Sequence, residues 1–212
     1  MPCHICETRK PRRYCPGVRA QICSLCCGQE REETIDCPFE CEYLQEARLR
    51  DKLPEVLPED LPNKEIRVTE KFLEGHEHLL LFVSAALLQV TLETPGARDS
   101  DVRECLDALI QTYKTLESGI YFDTKPANRI AAAIYERMQA ETSKYCDEMK
   151  EKSGMSSIRD LDVMGMLVFL QRLERQNSNG RTRGKAFIDF LRHYFADFQA
   201  SRAQGELPHP IG

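Results

Sequence analysis

The chain has 212 residues and a formal net charge of −5, with 42% hydrophobic and 30% charged residues. This composition predicts one medium-sized domain with a small appendage, and it excludes a general nucleic-acid binder that works through overall positive charge. The most apolar run, at residues 79–92, is shorter than the roughly 20 residues that a membrane span needs, so we expect it to form a buried core helix and expect no membrane association.

Cysteine is distributed unevenly, because eight of the ten cysteines lie within the first 41 residues. The chain starts Met1-Pro2-Cys3 without a charged and then apolar leader, which predicts a cytoplasmic protein. In a reducing cytosol, clustered thiols are more typical of metal ligands than of disulfides. The candidate metal ligands are Cys3, Cys6, Cys15, Cys23, Cys26, Cys27, Cys37 and Cys41.

The spacing of these cysteines favours structural zinc. Cys3 and Cys6 form a C-x2-C pair, a second pair begins at Cys23, and Cys37 and Cys41 are spaced like ligands on one helical turn. Zinc takes four thiolate or imidazole ligands, so eight cysteines predict two ions with no position left open for catalysis. An iron–sulfur or redox site is the alternative, since it also uses thiolates.

Few other apolar side chains are available to build a core in this segment. Seven larger ones lie between residues 1 and 41: Ile5, Tyr14, Val18, Ile22, Leu25, Ile35 and Phe39. Ordering about 40 residues costs roughly 1 kcal/mol or more each, whereas a structural zinc ion contributes on the order of 10 kcal/mol. We therefore expect residues 1–46 to form a zinc-binding module that is unfolded without metal.

The cysteine segment resembles the cross-braced zinc fingers of the HIT and MYND type, which have a treble-clef-like fold. The resemblance is carried by Cys3-x2-Cys6, Tyr14-Cys15-Pro16, Ile22-Cys23-Ser24-Leu25 and a closing pair of cysteines. It implies that Cys3, Cys6, Cys23 and one of Cys26 and Cys27 hold one zinc ion. The other cysteine of that doublet would join Cys15, Cys37 and Cys41 on the second ion. The string ICSLCCGQEREETIDCPFECEYL also resembles bacterial proteins without an assigned activity, in which helices follow such a segment.

The module is locally basic. Residues 1–31 carry six basic and two acidic side chains, whereas residues 32–65 carry eleven acidic and four basic ones. The basic side chains could contact a phosphate backbone, or they could pair with acidic neighbours. The candidates for nucleic-acid contact are Arg9, Lys10, Arg12, Arg13 and Arg19.

Residues 47–65 repeat Leu-Pro three times, which predicts an extended linker or a strap laid over the remainder of the chain by its leucines. After this stretch, apolar residues recur at helical spacing and predict a bundle at residues 66–200. We expect five helices, at residues 68–93, 101–117, 126–150, 157–175 and 185–199, followed by a disordered tail at 201–212. The basic loop at residues 179–185 is interpreted as a solvated connector.

The sequence thus predicts a mainly α-helical protein with a zinc module at its amino terminus. No catalytic triad, glycine-rich nucleotide loop or acid pair stands out, so we name no catalytic residue and expect a non-enzymatic protein. An interaction or adaptor protein with another protein as its partner is the leading hypothesis. A nucleic-acid-binding regulator is the alternative, and the oligomeric state stays open.

Overall fold

A computed structural model describes residues 1–51, 55–119, 122–153 and 158–204, and the described chain is mainly helical. Strands β1 and β2 form one antiparallel hairpin, and a 3₁₀ turn lies at Pro58–Asp60. The elements in chain order are β1 (Arg13–Cys15), β2 (Ala20–Ile22), α1 (Ser24–Glu30), α2 (Glu42–Arg48), α3 (Glu70–Gly75), α4 (Glu77–Leu92), α5 (Asp99–Glu117), α6 (Arg129–Ser153), α7 (Asp160–Asn177) and α8 (Ala186–Gln204).

The larger hydrophobic core lies among helices α4 to α8, as the apolar periodicity predicts. Helix α5 packs against α6 and α7, and α4 packs against α6, α7 and α8. The apolar run at residues 79–92 is indeed a core helix, α4, and no helix in the described ranges is long and apolar enough to cross a bilayer. Cys105 is fully buried in this core, which agrees with its helical spacing.

Helix boundaries in the structure differ from the predicted ones at several places, including α6, which begins at Arg129 and not near residue 126. Residues 68–93 form two helices, because the chain turns at His76, whose φ of −130° interrupts the helical path. Helix α5 begins at Asp99, because the carboxylate of Asp101 accepts the otherwise unpaired amide of Arg98, the residue before the helix. The same arrangement joins Asp162 to Arg159 at the start of α7. The predicted start at Ser157 lies outside the described residues, as does the tail 205–212, and α8 continues to Gln204.

Residues 61–66 lie against α5 and α7 as a strap. Polar contacts hold them there: Arg172 donates to the carbonyl oxygens of Asn63, at 2.7 Å, and Ile66, at 3.0 Å. The side chain of Asn63 also bonds Gln171 and Lys114. In one of the two predicted alternatives the repeated leucines anchor this segment, but Leu57 is exposed, and Leu53 lies outside the described residues. The division into three parts and a tail stays a prediction.

The loop between α7 and α8 docks on the cysteine-rich module and is not the solvated connector that the sequence predicts. Thr182 donates to the carboxylate of Glu33, and Lys185 pairs with Asp36 at 2.5 Å. The ring of Phe39 packs against the helical core and lies under the guanidinium of Arg192. The basic loop therefore neutralises the start of the acidic segment, and this attaches the module to the bundle.

The buried carboxylate of Asp99 gives the helical core a specific pH response. It accepts the amides of Phe187 and Ile188 at the start of α8, and burial raises its pKa to about 6 from 3.8. The unfolded chain therefore releases this proton at lower pH than the folded chain, so Asp99 lowers stability as pH rises from about 4 to 6. The free energy of unfolding of the wild type should fall by about 2 kcal/mol between pH 4 and pH 7 because of this group, and we expect Asp99→Asn to remove that fall. Urea denaturation of both proteins across this range measures the difference, and parallel pH curves would contradict it.

Candidate metal centre

The cysteine-rich module has its own small core. Seven of its eight cysteines are buried, and the large aliphatic side chains buried with them are Ile22, Ile35 and Leu44. Three large aliphatic side chains make a small core, and the expectation that the segment does not fold without metal stays a prediction. The thiol groups occupy the centre of the module, where an ordinary domain would place leucine or valine.

Two turns and the hairpin place the first group of thiols. The segment that carries Cys3 and Cys6 closes through a hydrogen bond from the Glu7 amide to the Cys3 carbonyl, at 2.8 Å. Glu7 adopts a φ of 53°, which lets the chain reverse after Cys6. Cys23 follows β2 directly and is the N-cap residue of α1, where its sulfur accepts the amide of Cys26. The hairpin thus places the start of α1 next to the amino-terminal turn that carries Cys3 and Cys6.

Four sulfur atoms meet at this point. The Sγ atoms of Cys3, Cys6, Cys23 and Cys26 all lie within 4.8 Å of one another. Tetrahedral zinc–sulfur bonds of about 2.3 Å place ligand sulfurs about 3.8 Å apart, so the four thiols fit one tetrahedral ion after small adjustments. Of the Cys26–Cys27 doublet, which the sequence left open, Cys26 joins this cluster.

Hydrogen bonds lower the pKa of two of these four cysteines, Cys6 and Cys23. The side chain of Thr8, and then the backbone amides of Thr8 and Arg9, lower the pKa of Cys6 to about 5. The amide of Cys26 lowers the pKa of Cys23, while burial raises the pKa of Cys26 to about 12. Thiolate is the form that binds metal, and N–H donors around sulfur are the outer contacts that orient such ligands. His4, which lies between Cys3 and Cys6 in the sequence, is exposed and is not part of the cluster.

The other four cysteines do not form a group at this spacing among the described residues. Cys15, Cys27, Cys37 and Cys41 are nevertheless all buried in the module's core. Burial raises the pKa of Cys37 to about 11, and the charges of Cys15 and Cys41 act in the same direction, which places these three thiols in one neighbourhood. The role of all eight cysteines as metal ligands stays a prediction.

Two guanidinium groups face Cys27. Arg13 Nη1 lies 3.6 Å from its sulfur, and Arg31 Nη2 lies 3.9 Å from it on the next turn of chain. Arg13 also stacks over the ring of Tyr43, at 4.0 Å from the ring centroid. Cys27 therefore has charged N–H donors beside its sulfur, unlike the core thiol of Cys105, whose pKa is raised by burial alone.

The basic residues of the module do not form one uniform surface. Arg9, Lys10, Arg12 and Arg19 are exposed, whereas Arg13 is turned toward Cys27 and Tyr43. A hydrogen bond with Cys23 raises the pKa of Arg9, which ties this side chain to the thiol cluster. Arg13 and Arg9 are thus occupied by Cys27 and Cys23. The other three candidates for nucleic-acid contact, Lys10, Arg12 and Arg19, have no such contact with a cysteine among the described residues.

Gly17 in the hairpin turn permits a close approach of the segment that leads to Cys37. A Cβ atom at this position would lie 2.6 Å from Ile35 Cγ2 and 2.7 Å from the carbonyl oxygen of Asp36. We expect Gly17→Ala to destabilise the module by about 1–3 kcal/mol, because the segment that leads to Cys37 must move. Gly28→Ala is the matched control, since nothing lies within 4 Å of its Cβ position. Hydrogen exchange of amides 13–37 distinguishes the variants, and equal protection in both would contradict the prediction.

Comparison with known proteins adds no family to this description. No protein-family model matches the chain, and neither the curated proteins nor the solved structures include a match. Fold and site together define a mainly helical protein with a cluster of four amino-terminal cysteines that could bind a metal ion.

Proposed function

We propose that this chain is a non-enzymatic interaction protein in which structural zinc holds a rigid module on a helical bundle. The observation that carries the proposal is the convergence of Cys3, Cys6, Cys23 and Cys26 from two separate segments onto one point. Four thiolates complete a tetrahedral zinc shell and leave no position for a reacting water. The bound ion would therefore supply cohesion rather than catalysis.

A second zinc ion on Cys15, Cys27, Cys37 and Cys41 completes the proposal. In HIT and MYND fingers the ligand pairs of two ions alternate along the chain. Here Cys15 stands alone between the two pairs of the first cluster, and Cys27, which that cluster leaves out, would complete the second set. Support comes from the burial of all four side chains and from the arginine donors around Cys27. The iron–sulfur alternative is separable by its visible absorption, which a zinc site lacks.

The exposed apolar side chains of the module are the proposed contacts with a partner protein. Tyr14 on β1 is 54% exposed and Leu25 on α1 is 48% exposed. The module has few large apolar side chains, yet these two do not contribute to its core. Aromatic and aliphatic anchors on a rigid frame are typical of protein interfaces. The metal would keep this frame rigid, so that binding costs little ordering of the chain.

Elemental analysis of single-cysteine variants tests the zinc assignment. We expect two zinc ions per chain in the wild type, one in Cys26→Ser, one in Cys27→Ser and two in the control Cys105→Ser. A loss of both ions in either doublet variant would indicate one joint site. Full zinc content in Cys26→Ser would contradict the first site.

A nucleic-acid-binding regulator is the second candidate, and the observation that favours it is the exposure of Lys10, Arg12 and Arg19 on the module. Binding through phosphates would weaken steeply with salt. Fluorescence anisotropy with a labelled single-stranded oligonucleotide, with and without Arg12→Ala and Arg19→Ala, measures this dependence. Salt-sensitive binding that both substitutions weaken would favour this candidate over the adaptor.

A further inference from the structure

A cleft lies between the end of α2 in the module and helices α7 and α8 in the bundle, and we name it the junction cleft. Its volume is about 550 Å³, which is typical of small-molecule sites in proteins. Leu49 and Asp51 line it from the module, and Asn177, Phe190 and His193 line it from the bundle. An occupant of this cleft would therefore contact both parts of the chain.

Negative charge exceeds positive charge around the junction cleft. The side chains of Glu32 and Asp189 are 2% and 7% exposed, and both pair with the one guanidinium group of Arg48. Arg48 and Asp189 line the cleft, and Arg192 supplies a second, more exposed guanidinium group at 3.3 Å from Asp189. With Asp51 at the rim, three carboxylates face two guanidinium groups among the described residues. The cleft therefore favours a cation over an anion.

The junction cleft also offers free hydrogen-bond acceptors. The carboxylate of Asp51 is exposed and has no partner in the described part of the chain. Gln45 and Asn177 each donate an amide hydrogen to a backbone carbonyl oxygen, at 3.1 and 2.9 Å, and their side-chain oxygens accept no hydrogen bond within the described residues. A carboxylate and two amide oxygens are thus available to a ligand that donates hydrogen bonds. An ammonium group is such a ligand, because it carries three donors and a positive charge.

Apolar side chains complete the lining of the junction cleft. Leu49, which directly follows α2, is 89% exposed, so almost none of its surface is covered by the protein itself. Ala186 and Phe190 on α8 line the same cleft and are half-buried. Covering this surface with an apolar group removes it from water and favours binding. The lining therefore suits a ligand that joins a cationic group to an apolar one.

We propose that the junction cleft binds a small organic cation, a primary amine that carries an apolar group. Its ammonium group contacts Asp51 and the free amide oxygens, and its apolar group covers Leu49 and Phe190. Because the ligand contacts the module and the bundle together, its binding stabilises the docked arrangement of the two parts. The inference does not depend on which cysteines hold a metal ion, so it can fail while the proposed function stands.

Titration of the isotope-labelled full-length protein with phenethylamine, followed by NMR, tests the proposal. We expect saturable shifts at the amides of residues 45–51 and 177–193, with a Kd on the order of 1 mM for so small a probe. Phenethyl alcohol has nearly the same shape without the charge, and it should bind at least about fivefold more weakly. Hydrocinnamate, which carries a carboxylate instead, should not bind.

Three substitutions at exposed positions separate the charged contact from the apolar one without disturbing the core. Asp51→Asn should weaken binding of phenethylamine by about threefold and leave phenethyl alcohol unchanged, because only the amine uses the charge. Leu49→Ser should weaken both probes, and Glu46→Gln, on α2 but outside the cleft, should match the wild type. Equal binding of the amine and the alcohol, or shifts that do not saturate or that lie elsewhere, would overturn the proposal. Tighter binding of a lysine-containing dipeptide amide would also overturn it, in favour of a partner protein's side chain.

Discussion

Withdrawing metal from this protein should unfold residues 1–51 and leave the helices of the bundle largely intact. The module's core consists of cysteines and three large aliphatic side chains, and roughly 10 kcal/mol of cohesion per ion would be lost. The bundle keeps a separate apolar core among α4 to α8. Limited proteolysis and circular dichroism before and after treatment with a strong chelator under reducing conditions measure the two parts separately.

The expected pattern is rapid cleavage within residues 1–51 and a loss of helical signal no larger than α1 and α2 can account for. Readdition of zinc should restore protection, whereas magnesium should not, because thiolates select soft or borderline ions. A module that stays protease-resistant after complete metal removal would contradict the account. Collapse of the whole helical signal would show that the bundle depends on the docked module.

The second large effect concerns the bidentate ion pair between Arg103 on α5 and Glu174 on α7. Glu174 is fully buried, and Arg103 bonds both of its carboxylate oxygens at 2.9 and 2.8 Å. Arg103→Met would leave a buried negative charge without its partner, near the carboxylate of Asp99. We expect a loss of about 3–5 kcal/mol in the free energy of unfolding, measured by urea denaturation of the zinc-loaded protein.

The exposed pair Lys125–Glu136 offers a matched control. Its partners are 56% and 60% exposed, so Lys125→Met should change stability by no more than about 1 kcal/mol. The double variant Arg103→Met/Glu174→Leu should recover much of the loss, because no uncompensated charge remains in the core. A loss below 1 kcal/mol in Arg103→Met would show that Glu174 takes up a proton or reaches solvent at little cost.

The sequence predicts the mainly helical class and the thiol cluster for clear physical reasons. Two thiols separated by two residues can bind one ion from a single tight turn, so C-x2-C spacing is a local signal, and the structure brings the pairs Cys3–Cys6 and Cys23–Cys26 together. Apolar spacing along α5 and α7 is local as well. The break at His76 has a weaker signal, since Gly75 is the one residue there that disfavours a continuous helix.

Docking of the module could not be predicted, because its contacts join residues about 150 positions apart. Glu32 is one of eleven acids in residues 32–65, and nothing in its neighbours distinguishes it as the buried one. The charges did contain a signal, since an acidic segment and the basic loop at 179–185 are complementary. One interpretation of the sequence pairs the basic amino terminus with its acidic neighbours, whereas in the structure the α7–α8 loop contacts residues 31–36.

Native mass spectrometry of the intact protein, purified under reducing conditions, tests the central claim most directly. The account predicts a chain that carries two zinc ions and is resistant to protease at residues 1–51. A folded, protease-resistant chain at the mass of the metal-free polypeptide would contradict it.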